Sequence, residues 1–202
     1  MTDFITQAIA NRQLGLALHY PLLRAAVVGL DARDTFEFGA GGSTKVILEA
    51  LPSVQSFHLS ISTESKDQIQ KHYAIDPALA WDHRQGLSQE MREILTPDSR
   101  LDLVLHDGSH AADVVAEDVA WVWPHLRCCG LLLVHDTQHS YVGAEVCADL
   151  ARGLAGARFT ATTLPYGFGL TIVRREDGDD LIKPAIAKSS SPHATIPREI
   201  YL

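Results

Sequence analysis

The chain has 202 residues, of which 46% are hydrophobic and 21% charged, a composition typical of a one-domain globular protein. Its formal net charge of -8 argues against a protein that binds nucleic acids or anionic membranes by electrostatic attraction. Because there is no membrane-length apolar run and no secretory signal, and because three cysteines lack metal-binding spacing, we expect a cytoplasmic protein.

Apolar periodicity, caps and turn residues predict helices that alternate with strands. Residues 3–30 carry a helical pattern with a break at Pro21, and predict one or two helices that cover the sheet or the mouth of a ligand site. The strands predicted after them are 35–38, 56–61, 79–83, 101–106, 130–135, 159–164 and 168–175. The helices predicted between these strands are 43–51, 64–73, 88–95, 111–126 and 141–154.

This order predicts an α/β fold with a doubly wound, mostly parallel seven-stranded sheet, whose last two strands form an antiparallel hairpin. The continuous apolar runs at 101–105 and 130–134 fit strands that are buried on both faces. The predicted organisation is an N-terminal helical cover (1–33), a ligand-binding domain (34–183) and a Ser/Pro-rich C-terminal tail (184–202).

A glycine-rich loop, Gly39–Thr44, follows the first strand and opens the next helix, which Ser43 or Thr44 can cap. Glycines allow a ligand to approach the backbone closely. The loop lacks the third glycine of a dinucleotide fingerprint, and Glu37 is a poor neighbour for a pyrophosphate but a good one for a cation. S-adenosylmethionine, with its sulfonium and ammonium groups, has the fitting charge, whereas the alternative is an ordinary strand–turn–helix corner.

Polar residues recur where the predicted strands end, and these carboxyl ends share one edge of a parallel sheet. Asp107 and Asp136 follow two apolar strands and Glu37 lies at the end of the first. The other polar or small residues expected at this edge are Ser60, Ser62, Gly86, His106, His110, His135 and His139. This convergence predicts a functional cluster rather than ordinary turn chemistry.

Three segments together resemble the class I S-adenosylmethionine-dependent methyltransferases: 37–44, 101–110 (LDLVLHDGSH) and 130–137 (GLLLVHDT). The chain is most similar to a small bacterial group that contains macrolide-sugar and aminocoumarin O-methyltransferases and cephalosporin-hydroxylase-like proteins. The resemblance covers roughly residues 34–175. It implies a Rossmann-like methyltransferase fold.

The resemblance also implies roles for individual residues. Glu37, Gly39 and Gly41 would contact the methionine part of the cofactor, and Asp107 would lie beside the transferred methyl group. Further cofactor contacts are expected from Ser43, Ser60, Ser62, Gly86, Leu87 and Ser88, the last three beside the adenine. In metal-dependent members, carboxylates that match Asp107 and Asp136 hold Mg²⁺, and the adjacent His135 completes the expected metal site.

Three positions depart from the family pattern. Ser60-Ile61-Ser62 replaces the acid that usually binds the ribose, and Glu64 is the nearest carboxylate. His135-Asp136 replaces an acidic pair, which favours a site for Mg²⁺ or another divalent metal, or no metal at all. Where a further acid is common the chain has Ser109, so His110 or His139 becomes the expected base.

We therefore expect methyl transfer from S-adenosylmethionine to an oxygen of a small molecule, such as a sugar or phenol of a secondary metabolite. The alternatives are a non-catalytic ligand-binding member of the same fold and a nicotinamide-dependent oxidoreductase. The expected partner is a small-molecule acceptor, without nucleic acid or membrane. Val27, Val28 and the tail are the expected contact surface of a homodimer.

Overall fold

The computed structural model describes residues 2–10, 15–51, 56–111 and 113–176, so the predicted tail (184–202) lies outside the described residues. Six helices are described: α1 (Thr2–Ala10), α2 (Tyr20–Gly29), α3 (Gly42–Ala50), α4 (Lys66–Tyr73), α5 (Val114–Val122) and α6 (Gly143–Gly153). The described strands are β1 (Asp34–Phe38), β2 (Phe57–Ser62), β3 (Asp82–Gln85), β4 (Leu101–His106), β5 (Leu126–His135), β6 (Phe159–Leu164) and β7 (Leu170–Arg175). Short 3-10 turns occupy Leu16–His19, Ser88–Met91 and Trp123–His125.

The seven strands form one sheet in the order β3-β2-β1-β4-β5-β7-β6. Strands β1 to β5 pair in parallel, whereas β7 runs antiparallel to both β5 and β6. The predicted doubly wound sheet with an antiparallel terminal hairpin is confirmed. Because the strand order reverses between β1 and β4, the carboxyl ends of these two strands flank the position where open α/β sheets bind ligands.

Apolar clusters cover both faces of the sheet. Successive residues of a strand point to opposite faces, so neighbouring residues pack into different clusters. On one face Phe36, Phe38 and Val104 belong to the apolar cluster that includes α5 and α6. On the other face Leu103 and Leu105 join the cluster of α2, α3 and the 3-10 turn before α2. This double burial explains the continuous apolar runs of the sequence.

This packing leaves only one of the two valines of the predicted homodimer surface exposed. Val27 is fully buried within the second cluster, so it is not available to another chain, whereas Val28 is 54% exposed. Helix α2 is amphipathic at this point, with Val27 on its buried side and Val28 on its exposed side.

Several element boundaries differ from the prediction. Strand β3 begins at Asp82 rather than 79, because Trp81 is packed with Ile69 of α4 in a third apolar cluster. The predicted helix 88–95 is reduced to the 3-10 turn, and α5 begins at Val114 rather than 111. The apolar residues at 79–81 are thus used for packing in a loop and not for pairing.

The caps and the fifth strand also differ. Helix α4 begins two residues after the predicted start at 64, because Ser65 is its N-cap: the Ser65 hydroxyl accepts from the Gln68 N–H, and the Gln68 side chain accepts from the Ser65 N–H. Strand β5 begins at Leu126, four residues before the predicted start, and contains a bulge. Cys128 and Cys129 are therefore part of β5.

A helix able to cross a bilayer does not occur among the described residues.

Candidate functional site

A cavity of about 500 Å³ opens at the carboxyl ends of β1, β2, β3 and β4. Its floor is the glycine loop, and its sides are the loops after the other three strands together with two tyrosines. The lining residues are Tyr20, Phe38–Ser43, Ile61–Glu64, Tyr73, Gly86–Gln89, Asp107–Ser109 and Asp118. The volume falls within the range usual for small-molecule sites.

The glycine loop has its shape because β1 and β4 end side by side. Gly39 has a φ of +86°, and a Cβ on it would overlap the carbonyl oxygen of Asp107 and lie 2.7 Å from the carbonyl carbon. A Cβ on Gly42 would overlap the Tyr20 hydroxyl. Gly41, not the predicted Ser43 or Thr44, is the N-cap of α3, and the Thr44 hydroxyl in the first turn accepts from the Gly41 N–H at 2.8 Å. The loop therefore presents bare backbone to the cavity.

Glu37 has a different position from the predicted one. It is 0% exposed and is not part of the cavity wall. Its carboxylate accepts hydrogen bonds from the hydroxyls of Ser43 and of Thr44, the latter at 2.6 Å, and His58 Nε2 lies 3.4 Å away. The direct contact with a cationic ligand is thus corrected: Glu37 lies behind the loop and fixes the first turn of α3.

Replacement of Glu37 by glutamine is expected to lower the free energy of unfolding by about 1–3 kcal/mol. The hydroxyls of Ser43 and Thr44 donate to different oxygens of the carboxylate, and in glutamine an NH2 group, which cannot accept, replaces one of these oxygens. Urea denaturation measures the loss. Glu64→Gln, on an exposed residue, is the matched control and should unfold like the parent chain. Equal stability of Glu37→Gln and the parent would contradict the positioning role.

The charged side chains of the cavity wall are acidic. Glu64, Asp107 and Asp118 line it, and no Lys, Arg or His is found among its lining residues in the described chain. Asp118 is buried and is neutralised from behind, by Arg92 at 3.0 Å and His106 at 3.1 Å. Asp107 shares the single His135 ring with Asp136, so Asp107 and Glu64 together leave the wall with surplus negative charge, an environment that favours a cationic ligand.

The predicted cofactor residues divide into two groups. Eight of them line the cavity: Gly39, Gly41, Ser43, Ser62, Gly86, Leu87, Ser88 and Asp107. The Ser43 hydroxyl, however, donates to Glu37, and the Ser88 hydroxyl donates to Asp118 at 3.0 Å. Ser60 is fully buried, contacts His83 Nδ1 at 2.9 Å and lies outside the wall, so its prediction as a ligand contact is corrected.

Beside the cavity, His135 joins the carboxylates that follow β4 and β5. Its Nδ1 lies 2.8 Å from Asp107 Oδ1 and 3.2 Å from Asp136 Oδ1, and its Nε2 lies 2.8 Å from the Gly167 carbonyl oxygen. All these partners accept hydrogen bonds, so both ring nitrogens carry protons and the ring is an imidazolium. Burial alone would lower the pKa of His135, but the hydrogen bonds to the two carboxylates raise it to about 10.

The metal site predicted at Asp107, His135 and Asp136 stays a prediction, and in the structure both ring nitrogens of His135 contact oxygen acceptors. Burial alone would raise the pKa of Asp136, yet the hydrogen bond and charge of His135 hold it below its usual value. His135 thus orients both carboxylates. Such a partner is characteristic of the residues that surround metal ligands.

His110 lies on the other side of the two carboxylates. Its Nε2 is 3.3 Å from Asp136 Oδ2, is buried and has no hydrogen bond. One ligand atom each of Asp107, His110 and Asp136 can be chosen within 4.8 Å of one another. Burial holds the pKa of His110 below its ordinary value, so the neutral ring can accept a proton or bind a cation. The donor set of two carboxylates and one imidazole fits a divalent metal.

The ring of His139, the other expected base, packs against aromatic residues. Its ring lies 4.6 Å from the Phe168 ring and 5.8 Å from the Tyr141 ring, between ring centroids. Its link to the site is through the backbone, where the His139 N–H donates to the Asp136 carbonyl oxygen at 3.1 Å.

Three cavity residues were missed from the sequence. Tyr20 and Tyr73 reach the glycine loop from α2 and α4, and no local pattern marks them. Asp118 did leave a signal, because it is a carboxylate within the apolar stripe of α5, and its partners His106 and Ser88 explain why the charge is tolerated there.

The fold is shared with known methyltransferases. The O-methyltransferase TomG from Streptomyces achromogenes, solved in complex with SAM, is 20% identical, with a TM-score of 0.65 over 80% of this chain and 81% of that one. A putative O-methyltransferase from Klebsiella pneumoniae is 17% identical, with a TM-score of 0.67 over 87% and 89%. An O-methyltransferase from Bacillus cereus, solved in complex with SAH, is 14% identical, with a TM-score of 0.64 over 85% and 89%.

No curated protein sequence matches the chain. A family model described as a methyltransferase domain matches residues 36–137, half of the chain, from the middle of β1 to the residue after Asp136. The matched span includes the glycine loop, Asp107 and the His135–Asp136 pair. The protein has the Rossmann-like methyltransferase fold and belongs to this family of methyltransferase domains.

Proposed function

We propose that the protein transfers the methyl group of S-adenosylmethionine to an oxygen of a small molecule. The observation that carries the proposal is the cavity itself, which has a bare glycine floor and acidic side chains without a basic residue among its described lining residues. A sulfonium and an ammonium group are favoured there, whereas the pyrophosphate of a nicotinamide cofactor would face Asp107 and Glu64. The SAM and SAH bound to two of the similar structures support the same choice.

Glu64 is the carboxylate available for the ribose hydroxyls. It is exposed and lines the cavity two residues after β2, and the Ser62 hydroxyl accepts from its N–H at 3.1 Å, which holds the turn. The loop Gly86–Ser88 then forms the opposite side, where the adenine would lie. Gly86 has a φ of +152°, a conformation that brings backbone rather than a side chain to the wall.

The transfer is an in-line displacement, in which the acceptor oxygen bonds to the methyl carbon as the carbon–sulfur bond breaks. S-adenosylhomocysteine and a methyl ether are the products. The acceptor hydroxyl would approach from the side of Asp107, His110 and Asp136, the polar cluster that adjoins the cavity. Holding the two reactants in near-attack geometry supplies much of the rate, and His110, neutral at working pH, is placed to receive the hydroxyl proton.

We further propose that this cluster uses a divalent cation such as Mg²⁺. Asp107, His110 and Asp136 would hold it, while His135 keeps the other carboxylate oxygens in place. When bound, the ion lowers the pKa of an acceptor hydroxyl and orients it. In that state His110 is a ligand and the proton leaves to solvent.

Titration of the protein with S-adenosylmethionine in a calorimeter is expected to give saturable heat at one ligand per chain. NADH should give no change in fluorescence under the same conditions, because the acidic cavity disfavours a pyrophosphate. Absence of heat at millimolar S-adenosylmethionine would refute the proposal. Cofactor binding without methylation of any acceptor hydroxyl would instead identify a binding protein of the same fold.

His110→Ala is expected to weaken binding of Mn²⁺, a paramagnetic probe for the Mg²⁺ site, by about tenfold or more, because one of three protein ligands is lost. Electron paramagnetic resonance of free Mn²⁺ measures the change. His72→Ala, at an exposed position on α4, is the matched control and should bind like the parent. If the parent chain binds no Mn²⁺ up to millimolar concentration, the metal proposal fails and the direct proton-acceptor role of His110 remains.

A further inference from the structure

Two adjacent cysteines, Cys128 and Cys129, lie in a bulge near the start of β5. Leu101 of β4 is in register with Leu126 of β5, and Leu103 with Leu131, so five residues of β5 span two of β4. Strand β7 pairs with β5 only from Leu131 onward. The bulged residues therefore lack register partners on both sides, which leaves Cys129 exposed and Cys128 partly exposed.

The bulge holds the two thiols close together. Their Sγ atoms are 3.7 Å apart, and Cys129 has a φ of +67°, uncommon for a residue other than glycine. Gly130 closes the bulge tightly, since a Cβ on it would lie 2.9 Å from the Arg127 carbonyl oxygen and 3.0 Å from that of Asp102. The backbone thus presents the cysteine pair in one defined arrangement.

A cation lies against one thiol only. Arg174 of β7 donates from Nη2 to Cys129 Sγ at 3.1 Å. This hydrogen bond and the guanidinium charge hold the pKa of Cys129 below its usual value, against the opposing effects of its own partial burial and of Glu176. Burial and the neighbouring thiol raise the pKa of Cys128. Because the thiolate is the nucleophile, Cys129 is the more reactive of the two.

We propose that Cys128 and Cys129 form a thiol-exchange site for small-molecule disulfides, in which Cys129 attacks and Cys128 resolves the adduct. The Cys129 thiolate bonds to one sulfur of the disulfide, the S–S bond breaks, and the leaving thiolate takes a proton from water. The Cys128 thiol loses its proton to solvent and bonds to Cys129 Sγ, which releases the second small thiol. In total, two protein thiols are oxidised and one small disulfide is reduced to two thiols.

The disulfide between Cys128 and Cys129 would be readily reduced again. Adjacent Cα atoms are about 3.8 Å apart, which is shorter than the roughly 4.4–6.8 Å usual for disulfides, so a bridge between neighbours is readily reduced. The site is also remote from the methyl-transfer cavity, because Cys129 precedes His135 by six residues in β5, or about 20 Å of strand. The exchange site is therefore independent of the proposed methyl transfer.

The experiment exposes the folded full chain to oxidised glutathione and follows the thiols by mass spectrometry. Trypsin places all three cysteines in one peptide, 128–152, whose fragmentation locates each change. We expect glutathione to be attached to Cys129 first. The glutathione should then leave as Cys128 and Cys129 form a disulfide, so that the peptide is lighter by two hydrogens than the reduced form. Cys147 is an internal control, since it is partly buried, donates to the Thr137 carbonyl oxygen at 3.2 Å and should react last.

Variants separate the roles of the two thiols and the arginine. Cys128→Ser should stop at the glutathione adduct, and Cys129→Ser should slow modification by about tenfold or more. Arg174→Gln should slow the first step by about tenfold, with an unchanged melting temperature. Arg84→Gln, an exposed arginine on β3, is its matched control and should react like the parent. First modification at Cys128 or Cys147, or an unchanged rate in Arg174→Gln, would overturn the proposal.

Discussion

Replacement of Gly39 by alanine is expected to abolish binding of S-adenosylmethionine and to destabilise the fold by at least about 2 kcal/mol. The residue has a φ of +86°, which already penalises any side chain. A methyl group would also overlap the backbone carbonyl of Asp107, and neither backbone segment can rotate away as a side chain could. The ends of β1 and β4 must therefore separate, and the cavity floor is displaced.

Two measurements test this expectation. Thermal unfolding should show a melting temperature lower by about 4–8 °C, and calorimetry should show no heat with S-adenosylmethionine. Gly29→Ala is the matched control: Gly29 ends α2 with open space around it, so alanine there should be neutral or slightly stabilising. Normal binding by a stable Gly39→Ala protein would show that the cavity floor is not the ligand site.

Much of the fold could be predicted because the sequence pattern is dictated by burial. Runs such as 103–105 are apolar throughout because both sheet faces are covered, and the alternation with helices implies parallel pairing. The third strand was misplaced because Asp82–Gln85 is a polar edge strand, whose neighbour Trp81 is the apolar residue. Packing in a loop and pairing in a sheet leave the same local signal when an apolar run is short.

The candidate site was predictable in position but not in detail. Parallel strands bring their carboxyl ends to one edge, so the neighbourhood of Gly39, Asp107 and Asp136 follows from the sequence alone. Side-chain direction does not follow: Glu37 points behind the loop to the hydroxyls of α3, and His135 contacts three oxygen acceptors. Such choices depend on hydrogen-bond partners that are distant in sequence, among them Gly167.

Because Glu37 lies behind the glycine loop, Asp107 is the carboxylate that we expect to attract a cationic methyl donor. The sequence assigned the attraction for a cationic methyl donor to Glu37, but that carboxylate is buried and already accepts two hydrogen bonds. Asp107 is 26% exposed in its side chain, lines the cavity and lies 2.8 Å from His135 Nδ1. It is therefore the carboxylate whose removal should reveal the charge preference of the site.

Asp107→Asn is expected to weaken binding of S-adenosylmethionine by about tenfold or more, equivalent to about 1.4 kcal/mol. The same change should weaken binding of S-adenosylhomocysteine by less than about threefold, because this product has a neutral sulfur in place of the sulfonium. Two unit charges 4 Å apart interact by about 4 kcal/mol near a protein surface. The free energy of a tenfold change in affinity is smaller than this interaction. The asparagine oxygen can still accept from His135, which preserves the shape of the site.

The ratio of the two affinities, measured by calorimetry on the same protein preparation, separates charge from structure. Asp31→Asn is the matched control, since Asp31 is 70% exposed in its side chain and its φ of +48° suits asparagine. That control should leave both affinities unchanged. An equal loss for the two ligands in Asp107→Asn would mean that Asp107 shapes the cavity without sensing the sulfonium. The preference of this site for a methyl donor over its spent product would then have to arise from a neutral contact, such as the backbone of the glycine loop.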